Sequence, residues 1–360
     1  MQQIFHTRLA NLMGGIGEGE CAFITSDINI HYFTGFPSSE GIMFVSNDYA
    51  CLLVDFRYIE SAQEQVTSCD VILCHNRLEK LRELVKSHNI GNILLESDSL
   101  DLRTYIYYKD GIVNASFDTS LALFEKIKAI RIIKDSFELD RLRKAQLIAE
   151  KSYTELLNYL KAGVTERSLA VELEHLMKQN GAERTAFDLI TIAGENTSRP
   201  HGVPTDYRIR AGDFVTFDIG AVYEGYHSDM TRTVAVAYAD DEKRQIYQIV
   251  KDAQQQALDF IKEGVSGLAV DNVARSIITD AGYGEQFGHS TGHGVGLQIH
   301  EYPNLSTKSK DILKSGMVVT VEPGIYLPKK FGVRIEDTVC VTKQGYENLA
   351  HITKDLIIIK

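Results

Sequence analysis

The chain has 360 residues, 44% hydrophobic and 24% charged, with a formal net charge of -11. That length suits two domains, and an acidic chain without a Lys/Arg cluster argues against nucleic acid or an anionic membrane surface as its main partner. No segment approaches the ~18 apolar residues of a membrane span, Met1–His6 lacks the basic and apolar regions of a signal peptide, and five cysteines without a C-x-x-C pair read as reduced thiols of a cytoplasmic protein.

The first domain, residues 1–128, reads as an α/β unit. Strands are expected at Ala22–Thr25, Ile42–Val45, Ala50–Val54 and Asn92–Leu95, and an amphipathic helix over Leu78–His88. His31–Phe36 reads as an aromatic turn, Asp55 and Arg57 as strand-end capping residues, and His6, His75 and His88 as solvated surface. Composition turns basic and helical over Ile127–Asp135, which places the domain junction near residue 130. A long amphipathic helix is expected over Phe137–Leu160, opening a second domain of residues 129–360.

The second domain contains an internal repeat. Lys161-Ala162-Gly163-Val164-Thr165 opens one helix and Lys262-Glu263-Gly264-Val265-Ser266 another, with Thr165 and Ser266 as N-caps. His201-Gly202-Val203-Pro204 then matches His300-Glu301-Tyr302-Pro303. Two apolar strands follow the same plan: Phe214–Phe217 runs into Asp218-Ile219-Gly220, and Val318–Val321 into Glu322-Pro323-Gly324. Features copied in the same order predict two similar α/β halves facing a shared cleft.

A buried ionised carboxylate costs several kcal/mol unless it is compensated. Hairpins after each strand would return Asp229 beside Asp218 and Glu336 beside Glu322. Four clustered carboxylates must either share protons or bind cations. The structural alternatives are ion pairs, Asp229 with Arg232 and Glu336 with Arg334. Between the halves, Phe287–Leu297 carries His289 and His293 in a glycine-rich run that does not lead a strand into a helix, unlike a nucleotide loop. Oxygen donors with an imidazole suit Mn²⁺, with Fe²⁺, Co²⁺ or Zn²⁺ as alternatives, and four carboxylates suit a metal pair. The chemistry indicated is metal-assisted hydrolysis.

Phe217–Gly220, Ser228–Thr233, Thr291–Leu297, His300–Pro303, Val321–Gly324 and Val333–Asp337 together resemble the creatinase-like ("pita-bread") metallopeptidases, and within them the Xaa-Pro peptidases. Asn29–Phe36 and Asp55–Tyr58 resemble that family's N-terminal domain. The resemblance implies an α+β fold with a pseudo-twofold pita-bread domain behind a smaller α/β domain. It implies Asp218, Asp229, His293, Glu322 and Glu336 as ligands of two divalent ions, Mn²⁺ first and Co²⁺ or Zn²⁺ as alternatives. Glu322 would serve as proton shuttle, with His201, His289 and His300 at the substrate and Arg334 fixing Glu336. Short proline-containing peptides are the implied substrates and a homodimer the expected assembly. Prolidase-like action on Xaa-Pro dipeptides is the leading expectation, and aminopeptidase P action on longer peptides the alternative. A non-peptide hydrolase and a metal-free binding protein of this fold stand behind both.

Overall fold

The computed structural model describes residues 2–360, without the side chain of Gln2; Met1 lies outside the described residues. The chain divides into two compact units that meet at Arg131 and Ile132. That boundary lies beyond residue 128 because a helix runs from Ala122 to Arg131.

The first unit holds helices α1 (Gln2–Met13), α2 (Asp27–Thr34), α3 (Ile59–Gln65), α4 (Arg77–Ser87), α5 (Leu102–Gly111) and α6 (Ala122–Arg131). Its strands are β1 (Glu20–Ile24), β2 (Ile42–Ser46), β3 (Ala50–Val54), β4 (Asp70–Leu73), β5 (Asn92–Leu95) and β6 (Ser116–Asp118), in the order β4-β3-β2-β1-β5-β6. Every residue of β2 and β3 is buried, as continuous apolar runs in a covered sheet require. Two expectations are corrected here. His31–Phe36 is not a free turn: residues to Thr34 complete α2, and Gly35 caps it at φ 73°. His88 is half-buried, stacked on the Tyr49 ring with centroids 4.8 Å apart. Asp55 does terminate β3, accepting from the Arg57 amide at 2.8 Å and pairing with its guanidinium at 2.6 Å.

The second unit opens with α7 (Ser136–Leu156) behind a capping box formed by Asp135 and Glu138, then α8 (Glu166–Gln179). Helix α7 stops short of Leu160, where Leu157–Leu160 turns the chain toward α8. Strands β7 (Arg184–Thr185), β8 (Ile190–Ala193), β9 (Phe214–Ile219), β10 (Ala221–Tyr223), β11 (Tyr226–His227) and β12 (Met230–Val236) follow. The second half repeats the plan with α9 (Asp241–Phe260), α10 (Gly267–Asp280), β13 (Gly292–Gly294), β14 (Glu301–Leu305), β15 (Val318–Val321), β16 (Gly324–Leu327), β17 (Phe331–Arg334), β18 (Asp337–Val341), β19 (Tyr346–Asn348) and β20 (Ile358–Ile359).

One half buries α7 and α8 against the sheet β20-β12-β9-β8, through Tyr153, Leu173, Phe217 and Val234. The other buries α9 and α10 against β14-β13-β15-β18-β19, through Ile246, Val250, Ile278 and Val319. The repeat extends to backbone detail. Thr165 and Ser266 both cap their helices, and both form isolated bridges, to Arg208 and Ile312. Gly212 and Gly316, which lead into β9 and β15, share a left-handed turn at φ 89° and 90°. A side chain at either position would be strained. The His-x-x-Pro segments differ, since only the second is drawn into a strand, β14, by pairing with β13.

Candidate active site

Strand register places the acidic side chains. In the first half β9 pairs antiparallel with β12, so Asp218 faces Thr231, and Asp229 stands two residues along on the same face. In the second half Val321 pairs with Asp337 in the β15–β18 ladder, and Gly324 with Arg334 in the β16–β17 hairpin. Glu322 and Glu336 sit between those two pairs. The second acid of each half therefore stands at a different position in its hairpin. By register, the counterpart of Glu336 in the first half is Thr231, not Asp229. The two counterparts touch: Thr231 Oγ1 donates to Glu336 Oε2 at 2.7 Å, and Glu336 N donates to Thr231 O at 3.1 Å.

His293 comes from β13, which pairs with β15. Its Nε2 lies 3.5 Å from Asp229 Oδ2 and 3.4 Å from Glu322 Oε1. Its Nδ1 is 3.0 Å from Gly294 O, and a carbonyl only accepts, so Nδ1 carries the hydrogen and Nε2 faces the acids with a lone pair. Donor atoms of Asp229, His293 and Glu336 all lie within 4.8 Å of one another.

Arg334 does not hold Glu336. Although it is two residues from Glu336 on the strand, its side chain crosses to the other half, and Nη2 meets Asp218 Oδ2 at 2.5 Å. Its Nε donates to Thr231 Oγ1 at 3.1 Å, and Nη1 to Tyr326 Oη at 2.8 Å and Pro200 O at 3.2 Å. Nor does Asp229 pair with Arg232, whose guanidinium joins Asp337 at 2.7 Å.

The electrostatics are those of an acidic cluster short of cations. Burial pushes Asp229 and Glu336 well above the usual carboxylate range, and neighbouring carboxylates add to the shift. Burial pushes Glu322 up to about 8, against the pull of Arg334. Arg334 stays charged despite burial because Tyr326, Asp218 and Glu322 surround it. Burial holds His289 and His293 down to about 4, which leaves both imidazoles neutral. Asp218 Oδ1 is buried without a hydrogen-bond partner among the described residues. An orphaned carboxylate oxygen, three further acids and an imidazole lone pair converging on one point fit divalent cations.

These residues line a cavity of ≈ 420 Å³, together with His201, His289, His300 and the apolar Phe187, Ile190, Pro200 and Ile299. His201 and His300 reach it as the copied histidines of the repeat. His289 reaches it too, but both its nitrogens are engaged: Nδ1 donates to Ser290 O at 2.8 Å, so Nε2 accepts from Tyr326 Oη at 2.9 Å. His289 therefore meets the cavity neutral, and Tyr326 links it to Arg334. His227 does not line the cavity; it is buried, with Nε2 3.5 Å from Arg184. Sequence reasoning missed Tyr326 and Thr231. The signal available for both was strand alternation, which puts Tyr326 on the face of Gly324 and Thr231 on the face of Asp229. It also missed the brace under the glycine-rich run. Asp271 of α10 accepts from Thr291 N and Oγ1, while Arg275, paired with Asp271 at 2.8 Å, donates to the Phe287 and His289 carbonyls.

Comparison with known proteins agrees in both units. Residues 140–343 match metallopeptidase family M24, and residues 7–133 match the creatinase/prolidase N-terminal domain. A protein of Pyrococcus furiosus named Xaa-Pro dipeptidase is 39% identical over 340 residues, covering 93% of this chain and 94% of that one. The structure of an Xaa-Pro dipeptidase from Bacillus anthracis superposes with a TM-score of 0.94 at 37% identity, covering 98% of this chain and 99% of the other. That of an X-Pro aminopeptidase from Thermotoga maritima superposes with a TM-score of 0.89 at 34% identity, covering 94% and 97%.

Proposed function

This chain belongs to metallopeptidase family M24, and from that premise we propose a two-metal exopeptidase that hydrolyses the Xaa-Pro bond at the N-terminus of dipeptides or short peptides. The observation that carries the metal reading is the orphaned Asp218 Oδ1 inside a cluster of four carboxylates and one outward-facing imidazole nitrogen. The substrate reading is supported by the relatives named as Xaa-Pro dipeptidases.

Asp218, Asp229, His293, Glu322 and Glu336 would hold the ions, Mn²⁺ first and Co²⁺ or Zn²⁺ as alternatives. When bound, a divalent pair supplies Lewis acidity for the scissile carbonyl and acidifies water. The chain's own residues supply the rest. Glu322 accepts a proton from the attacking water and passes it to the proline nitrogen, which is tertiary in the substrate and must be protonated to leave. Arg334 fixes Asp218 in place, and Thr231 fixes Glu336. His201 and His300 orient the peptide and the developing oxyanion from the cavity wall. Tyr326 is a positioning residue that sets His289 and Arg334 relative to each other.

The test is direct. Purified protein supplied with Mn²⁺ is expected to cleave Ala-Pro or Ala-Pro-Ala and to leave Ala-Ala intact; indifference to proline overturns the substrate reading. Removing metal with a chelator should abolish the activity, and adding Mn²⁺ should restore it. Activity that survives chelation overturns the metal reading.

A further inference from the structure

We infer that the cavity is built for peptides that continue beyond the proline, and that a free Xaa-Pro dipeptide, whose carboxylate would lie beside Asn304, is the poorer substrate. This rests on the Xaa-Pro reading above and deepens it.

The two walls of the cavity come from different sheets. On one, Ile190 of β8 pairs with Asp218 of β9, so acid and apolar surface adjoin where the free amine of a substrate would be neutralised. Asp188 lines the same wall. On the other, His293 of β13 pairs with Asn304 of β14. Directly opposite residues of an antiparallel ladder share a face, so the Asn304 side chain stands beside His293 on the cavity lining. A substrate with its amine on the first wall sends its proline and whatever follows toward the second.

A dipeptide places a carboxylate there, and a longer peptide places a neutral amide. Burying an ionised carboxylate requires a cation or several donors. Among the described residues that line the cavity, Arg334 is the one guanidinium, and no lysine lines it. Arg334 is 4% exposed and already donates to Asp218, Thr231, Tyr326 and Pro200. His289 is occupied by Tyr326 and Ser290.

Asn304 is what the proline end would meet. Its backbone N–H is tied to Asp311 Oδ2 at 2.9 Å, which fixes the residue, while its carboxamide makes no hydrogen bond among the described residues. A neutral carboxamide can accept from a peptide N–H and donate to a peptide C=O at once. Those are the groups of the bond after proline, and a dipeptide has no such N–H.

The test compares kcat/KM for Ala-Pro, Ala-Pro-NH2 and Ala-Pro-Ala on the Mn²⁺-loaded protein. The amide and the tripeptide are expected to exceed the dipeptide by about tenfold or more, mainly through KM, the size of one unmet charge-assisted contact. Ala-Pro cleaved as well as or better than Ala-Pro-NH2 overturns the inference and leaves the Xaa-Pro reading standing. Failure on all three substrates overturns that reading and the inference with it. The variant Asn304→Arg supplies the missing cation and should raise the Ala-Pro to Ala-Pro-NH2 ratio about tenfold. A ratio that does not move overturns the assignment to Asn304.

Discussion

Asp218 puts one oxygen on Arg334 at 2.5 Å and leaves the other buried without a partner among the described residues. A group prepared on one side and open on the other is what a metal ligand requires, and its neighbours repeat the pattern. Among the described residues Asp229 has no arginine or lysine to itself, because Arg232 is committed to Asp337. Asp229→Ala is therefore expected to lose bound metal and activity together while the protein stays folded. Titration with Mn²⁺ and a circular dichroism spectrum check both halves of that statement, and an active variant would sink the assignment. Thr231 was not legible as a site residue, yet its hydroxyl donates to Glu336 and accepts from Arg334. Thr231→Val keeps the shape and removes both contacts. Metal affinity should fall roughly 10–100-fold, the usual cost of losing a group that orients a ligand, with little change in melting temperature. Unchanged affinity would reduce Thr231 to a packing residue.

At the scale of elements, each strand-and-return pair was readable, because an apolar run that ends in a carboxylate and glycine has few other uses. Pairing register was not. Reading the hairpins as equal copies made Asp229 the counterpart of Glu336, whereas the ladders set Thr231 opposite Asp218 and bring Arg334 opposite Gly324. Such shifts depend on turn geometry and bulges, which composition does not specify. Just behind Glu336, Asp337 joins β18 to four other segments: Arg232 of β12 at 2.7 Å, Gln254 of α9 at 3.2 Å, Asn348 of β19 at 3.0 Å and Lys354 of the C-terminal segment at 3.1 Å. Arg232 also donates to the backbone carbonyls of Glu336, Ile352 and Thr353. Asp337→Asn leaves a buried guanidinium without its countercharge and should cost about 3 kcal/mol of stability. Urea unfolding reads this out; a loss below about 1 kcal/mol would mean that Arg232 finds enough compensation in carbonyls.

Over the whole molecule, the acidic cluster couples stability to pH and to metal. In the metal-free chain Asp229, Glu336 and Glu322 hold protons more tightly folded than unfolded, Glu322 up to about 8. For groups raised in this way, the stabilising contribution is complete below the ordinary carboxylate range and is lost as pH rises through the folded values. Metal-free protein should accordingly unfold at lower urea near pH 8.5 than near pH 6. Divalent metal replaces those protons, so its affinity should climb over the same interval and the loss should vanish in the loaded protein. A metal-free stability that is flat or rising across that range would contradict the proton-sharing account. The amino-acid sequence by itself determined the internal repeat and marked the acids and histidines that were candidates for the site, because buried acids, glycine turns and helix caps are local demands that few residue types meet, while the α+β class rested on the family resemblance. Only the tertiary structure decided which acid each arginine serves, that Tyr326 ties His289 to Arg334, and that Asn304 stands beside His293. Those outcomes depend on strand register and on side chains reaching across from the opposite half, and no local pattern encodes either.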